Sequence, residues 1–406
     1  MLPEVIAAYS EAMSVVGNPS SIHSQGQNAK RMLEEAREQV AASLGADSVE
    51  VVFTGGGTEA VNLGIKGLFW AARAGDRQSR AASALPSRDR NAIAIAPARD
   101  RNRILVPRAE HHATVDAVEW LATAEGAELE WLPVDEHGRI RLDALEAALA
   151  AAPDVALVTA LVANNEVGTI QPIADIVALA TRYGVPVHAD AVSAYGYLPI
   201  DFHETGLAAL SVSAHKIGGP VGVGALLVAR TATVVPLIHG GNQQRARSGT
   251  QDAAGAVAFG LAARLATAAI AARTAHLSVL RDRLVAGIRR AVPTAILRGD
   301  PNPAGRLPGN AHFTFPGCEG DSLLFLLDVA GFSVSTGSAC QAGVPEASHV
   351  LTAMGLNEAD ARGALRITLG HDTVEVEVDA FVAALPAVVA RATAAGLAER
   401  DVGLGR

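Results

Sequence analysis

Over its first 250 residues the chain alternates short β-branched apolar runs with amphipathic helical periods, and that alternation leaves few folds open to it. The run at 49–54 (VEVVFT) leads into three glycines and a helical period beginning at Thr58. Further strand-like runs fall at 103–106, 129–133, 155–162, 185–189, 207–213 and 224–229, with helical periods at 114–124, 142–151 and 173–183 between several of them. At 28–44 the apolar positions Ala29, Met32, Leu33, Ala36, Val40 and Leu44 trace one face of a helix ending near Gly45. Strands that alternate with helices pair in parallel through crossovers. The expectation is therefore an α/β domain whose doubly wound, mostly parallel sheet is covered on both faces.

Near Asp252 the character changes. Two Ala/Leu-rich helical stretches, 253–272 and 277–292, precede new strand-like runs at 311–315 and 364–369. This predicts a large domain over residues 1–255 and a smaller C-terminal α/β domain over 256–406. Residues 73–103, rich in Arg, Ala, Ser and Asp without a period, read as a surface insertion.

Composition narrows the function classes. Half of the 406 residues are hydrophobic and 18% are charged, which excludes a disordered or coiled-coil chain. A formal charge of −9 gives no general footing on nucleic acid or an anionic membrane. The two cysteines, Cys318 and Cys340, cannot build a disulfide framework, and no CxxC pair suggests a metal site, so a reduced, cytoplasmic setting is expected. The N-terminal residues lack the basic-then-apolar pattern of a secretory signal. Asp252, Arg264 and Arg273 interrupt the most apolar region before it reaches a membrane span.

An open parallel sheet places ligands at the carboxyl ends of its strands, and several unusual residues fall there. Gly55, Gly56, Gly57 and Thr58 follow a strand and open a helix, where backbone N–H groups and a hydroxyl can hold a phosphate; an ordinary glycine turn has the same pattern. Asp190 ends the run at 185–189, as a helix cap or as the partner of a protonated ring nitrogen. Lys216 closes the run at 207–215 before Gly218 and Gly219, a place for an activated amine. Phosphate cradle, buried acid and strand-end lysine together are what pyridoxal 5′-phosphate (PLP) requires.

The motifs NPSSIHSQG (18–26), TGGGTEAVNLGIKG (54–67), EHHATV (110–115), NNEVGTIQP (164–172), HADAV (188–192), SAHKIGGPVGVGAL (213–226), RSGT (247–250) and STGSACQAG (335–343) are similar, in order, to those of cysteine desulfurases. These are fold type I PLP enzymes of the class V aminotransferase group. The resemblance implies that Lys216 forms the Schiff base and moves the α-proton, that Asp190 pairs with the pyridine nitrogen, and that His111 stacks on the ring and shares acid/base work. It places Asn165 near the cofactor phenolate and Gly57, Thr58, Ser213 and His215 at the phosphate. Thr250 would reach the phosphate of the neighbouring subunit, which implies a homodimer. Arg366 would clamp the substrate carboxylate, as a bidentate guanidinium suits. Cys340, in a loop of small polar residues, would take sulfur from L-cysteine as a persulfide, release L-alanine, and deliver the sulfur to an acceptor such as an iron–sulfur scaffold or thio-modification carrier. Cys318 would be a buried apolar side chain.

Three features depart from that family. The segment from Met1 to Val5 stands where a preceding strand and loop should be finishing, so a longer native chain is expected. Ser193 occupies the place of a glutamine that bonds the cofactor phenolate, and 240–246 (GGNQQRA) is looser than the family's approach to RSGT. Selenocysteine lyase and cysteine-sulfinate desulfinase share most of the same motifs. A scaffold that kept the fold and lost catalysis is the alternative of another class.

Overall fold

The computed structural model describes residues 1–84, 101–337 and 347–402. The chain divides into two units. The first comprises Met1–Leu132, Leu142–Val162 and Pro172–Ala268, the second Pro133–Arg141, Ala163–Gln171 and Ala269–Arg406. Two short segments that the sequence pattern groups with the large domain, one of them carrying Asn165, thus belong to the second unit.

The first unit holds seven strands: β1 (Val51–Thr54), β2 (Arg103–Pro107), β3 (Glu128–Leu132), β4 (Val155–Leu161), β5 (Val187–Asp190), β6 (Ala209–Ser213) and β7 (Gly224–Val228). They form one sheet in the order β1-β7-β6-β5-β4-β2-β3. Pairing is parallel from β6 through β5, β4 and β2 to β3, while β7 is antiparallel to β6 and β1 antiparallel to β7. Two reversals return β1 to the common direction, so Thr54, Pro107, Leu161, Asp190 and Ser213 all end at one edge. β4 is buried along its whole length, as a strand covered on both faces must be. One covering layer is the helix Gly57–Ala84, whose Val61, Leu63, Ile65, Leu68 and Phe69 pack with Val52, Ile104, Val106 and Leu226 of the sheet.

In the second unit, β8 (Ile296–Arg298), β9 (Asn310–Thr314) and β10 (Ala364–Thr368) form an antiparallel sheet in the order β10-β9-β8. Its register lines up Arg366, His312 and Arg298 across the three strands. Phe313, Phe315, Leu323, Leu327, Leu365 and Leu385 are buried there. Cys318 is buried too, its Sγ 3.3 Å from Thr393 Oγ1.

The structure alters or adds to the sequence reading in four places. The two helical stretches after Asp252 are one helix, Ala253–Ala291. By length and composition alone that helix could cross a membrane. Its Ala258, Phe259, Ala262, Ala266, Leu277 and Ile288 are instead fully buried in the protein. The start of the expected insertion, through Ala84, continues the helix Gly57–Ala84, and its residues 85–100 lie outside the described residues. Residues Pro3–Met13 form a helix that begins on proline, which has no N–H to waste at that position. Leu2 N–H bonds the Gly218 carbonyl at 2.9 Å. β8, three residues long and partly exposed, has too little apolar pattern to be read from sequence.

Candidate active site

The shared carboxyl edge of the first unit is built around Gly224. Its register partners are Thr54 at the end of β1 and Ser213 at the end of β6. A Cβ on Gly224 would lie 2.6 Å from the Gly56 carbonyl carbon and 2.8 Å from the Val212 oxygen, so only glycine lets these strand ends close up. Gly56 takes φ +132°, and a Cβ on Gly57 would lie 2.9 Å from Val192 Cγ2 and 3.3 Å from Ser213 Cβ. The glycine turn, the end of β6 and Val192, two residues beyond Asp190, therefore meet. The N-terminus of the 28-residue helix Gly57–Ala84 opens at that point, with Thr58 exposed. Backbone N–H groups there suit an anion.

Two links hold this turn that the sequence reading missed. Glu59 Oε2 accepts from Gly55 N–H at 2.8 Å, and Arg247 Nε donates to Glu59 Oε1 at 2.9 Å. Arg247 thereby ties the RSGT segment to the start of the helix, with Thr250 exposed beyond it. The loose stretch at 240–246 is held by amide side chains. Gln244 bonds both the N–H and the carbonyl of Phe53, at 3.1 and 2.7 Å, acting as a neighbouring strand residue would on the edge strand β1. Gln243 Oε1 accepts from Gly249 N–H at 2.9 Å.

Beyond β6 a single 3₁₀ turn, Ala214–Ile217, presents His215 and Lys216, both exposed. Ser213 Oγ and His215 Nδ1 are 2.8 Å apart. Burial and the Lys216 charge hold the His215 imidazole below its usual range, so it stands neutral as a hydrogen-bonding group. Asp190, 3% exposed at the end of β5, accepts from Val192 N–H at 2.8 Å. Burial raises its carboxyl to about 6, against the pull of that N–H and of the Lys216 charge. A protonated ring nitrogen beside it would favour the charged form of this buried acid, adding to the pull of the Lys216 charge. Ser193, half-buried, follows Val192.

His111 caps the helix His112–Glu125, its Nδ1 accepting from Ala113 N–H at 3.0 Å. That bond uses the Nδ1 lone pair, so the neutral ring carries its proton on Nε2. Its neighbour Glu110 is 2% exposed and accepts from Leu161 N–H at 2.8 Å. Burial, with the Asp190 charge adding to it, raises the Glu110 carboxyl to about 8. In HADAV, His188 is a core residue rather than a site residue: it bridges Thr159 and Ser211 at 2.9 and 2.8 Å, and burial lowers it to about 3.

The second unit brings together Arg366, expected at the substrate carboxylate, and Asn165. Arg366, on β10 and half-buried, donates from Nη1 to the Asn165 carbonyl at 3.0 Å. Asn165 Oδ1 is buried without a hydrogen-bond partner among the described residues, a polar atom that calls for a donor from a ligand. Cys340 lies outside the described residues. Among the described residues Asp47, Glu50 and His203 sit close enough to share a cation, but Asp47 is engaged by Arg230 at 2.6 Å and His203 bonds Glu50 at 2.7 Å. That group is an ion-pair network.

The glycine cradle, the hydroxyls and imidazole at the β6 turn, and the Asp190–Lys216 pair fit a phosphorylated pyridine aldehyde. The family model for aminotransferase class-V matches residues 1–78 and 88–381. An IscS-like cysteine desulfurase of Mycobacterium tuberculosis is 49% identical over 399 residues, spanning 98% of this chain and 96% of its own. A solved NifS-like protein superposes with a TM-score of 0.81 at 31% identity, covering 96% of each chain. SspA, solved in complex with cysteine, superposes with a TM-score of 0.72 at 29% identity over 92% of this chain and 97% of its own.

Proposed function

From the premise that this chain belongs to the aminotransferase class-V family, we propose that it is a PLP-dependent cysteine desulfurase, converting L-cysteine to L-alanine and passing the sulfur on as a Cys340 persulfide. The observation that carries the reading is the meeting, at one strand edge, of the Gly57–Ser213 cradle with the buried Asp190 and the Lys216 amine. Gly57, Thr58, Ser213 and His215 would hold the phosphate, and Asp190 the ring nitrogen. When bound, PLP supplies an electron sink for the carbanion left by loss of the α-proton.

The protein's own groups divide the remaining work. Arg366 binds the substrate carboxylate through its guanidinium, already aligned by the Asn165 carbonyl. Lys216 Nζ takes the proton from Cα and returns it. His111 offers a proton from Nε2, since Nδ1 is committed to its own helix cap. The Cys340 thiolate attacks the substrate sulfur: the S–S bond forms, the Cβ–S bond breaks, and the electron pair stays on the carbon side, which takes a proton and leaves as alanine. No external oxidant is needed, because the two electrons that the substrate sulfur loses in becoming the outer atom of the persulfide are kept by the carbon side, whose Cβ becomes the methyl group of alanine.

Several finer points belong to the same proposal. The enzyme acts as a homodimer in which Thr250 serves the partner subunit, a reading supported by the exposed position of Thr250 and by exposed apolar Val221 and Ile238. The sulfur passes to an acceptor protein of iron–sulfur assembly or thio-modification. Its setting is the cytoplasm, supported by Cys318 kept as a buried free thiol. The test is an alanine and sulfide assay on the cofactor-loaded protein with L-cysteine. Alanine release that Cys340→Ser abolishes supports the reading, and no alanine from the wild type refutes it. Relative turnover of selenocysteine and cysteine sulfinate sets the substrate preference.

A further inference from the structure

Glu166 is a fully engaged buried carboxylate that the reaction just described does not use. It is 2% exposed. Its N–H donates to Asn164 Oδ1 at 2.9 Å and its carbonyl accepts from Asn310 Nδ2 at 3.1 Å, so its backbone is pinned on both sides. The side chain then reaches both described ends of the segment that carries Cys340. On one side Ser348 Oγ donates to Glu166 Oε2 at 2.5 Å, while the same Ser348 oxygen accepts from Leu351 N–H at 3.2 Å and caps the helix His349–Ala353. On the other side Gly337, at φ +87°, brings its backbone so close that a Cβ would lie 3.1 Å from Glu166 Oε2.

The same place is wired to the carboxylate-binding arginine. Ser335 and Arg366 exchange backbone hydrogen bonds at 3.2 and 2.6 Å, and Arg366 Nη1 holds the carbonyl of Asn165, the residue before Glu166. Burial lowers the Arg366 guanidinium, and the Glu166 charge works against that fall. A buried carboxylate is costly to keep unless its oxygens are bonded and its charge is faced by a cation, and here both conditions are met within one cluster.

We propose that Glu166 is a positioning residue: it fixes where the chain leaves Gly337 and returns at Ser348, relative to Arg366, and so sets the reach of the Cys340 thiol to the sulfur of a cysteine held by its carboxylate. This rests on the desulfurase reading. The tests use the cofactor-loaded enzyme and two readouts, steady-state alanine release from L-cysteine and the rate at which iodoacetamide alkylates Cys340, followed by peptide mass spectrometry without substrate.

Glu166→Ala removes the tether. Ser348→Gly removes the hydroxyl while keeping a serviceable N-cap residue, and it carries the test if Glu166→Ala does not fold. Ser348→Thr keeps the hydroxyl. In Glu166→Ala and Ser348→Gly, kcat should fall roughly tenfold with KM for cysteine within about threefold of wild type, the pattern of a misplaced reacting group. Cys340 alkylation should become faster in both, and Ser348→Thr should restore both values. Unchanged kcat in the folded variants overturns the proposal, as does a fall in kcat with unchanged alkylation, or a rise in KM alone. If the wild type releases no alanine, the desulfurase reading fails, while the alkylation rates still decide whether Glu166 restrains the segment.

Discussion

Replacing Glu110 by Gln probes the electrostatics of the strand edge directly. Glu110 is buried beside the end of β4, bonded to Leu161 N–H, and its carboxyl is raised to about 8 by burial and then by the Asp190 charge. An acid raised on folding keeps, in the native state, a proton that the unfolded chain releases. Stability from this group is therefore highest below the unfolded value of 4.5 and falls as pH climbs toward 8. At about 1.4 kcal/mol per pH unit, the climb from 4.5 to neutral pH costs about 3 kcal/mol. Glutamine keeps the acceptor for Leu161 and cannot ionise, so it removes this slope. The assay is urea unfolding of the PLP-free protein at pH 5 and pH 7.5, with infrared detection of the protonated carboxyl. Wild type should lose about 3 kcal/mol between the two conditions and Glu110→Gln should lose much less. A carboxylic acid band should be present in wild type at pH 7, fall to half near pH 8 and disappear only well above it. Equal slopes for the two proteins, or an ionised Glu110 at pH 7, would refute the reasoning.

The other expectations follow from the same geometry. Gly224→Ala should separate the ends of β1 and β6, costing about 1–3 kcal/mol by overpacking and weakening PLP binding, as a thermal melt and an absorbance titration with PLP would show. Arg366→Lys should raise KM for cysteine by roughly tenfold with a smaller effect on kcat, because an ammonium cannot make the two parallel bonds of a guanidinium; an unchanged KM removes Arg366 from the substrate site. His188, lowered to about 3, refuses a proton that the unfolded chain takes up below 6.5, so its contribution to stability is lost as pH falls through that window. His188→Gln should therefore flatten the acid limb of a stability profile, and an unaltered limb would count against that assignment.

What could be read from sequence was what depends on local order. An almost unbroken apolar run marked β4, a strand buried along its whole length, and the triple glycine before Thr58 marked a turn because few other residues tolerate it. Asp190 and Lys216 stood out for the same reason: each ends an apolar run with a charge. The continuous helix Ala253–Ala291 was less legible, since polar positions near its middle imitate a break that only packing closes.

Tertiary structure alone decided which charges matter. Glu59, Glu110 and Glu166 look alike in the sequence, yet the first ties Arg247 to the glycine turn, the second is held protonated beside Asp190, and the third binds Ser348 near Arg366. Gln244 completes the edge strand β1 from far along the chain. Sequence by itself determined the strand edge, its glycine turn and the lysine that closes the run before Gly218, because these follow from neighbours in the chain. Protonation, tethering and edge pairing waited on the fold, because burial and charge at a carboxylate are set by segments dozens to hundreds of residues away.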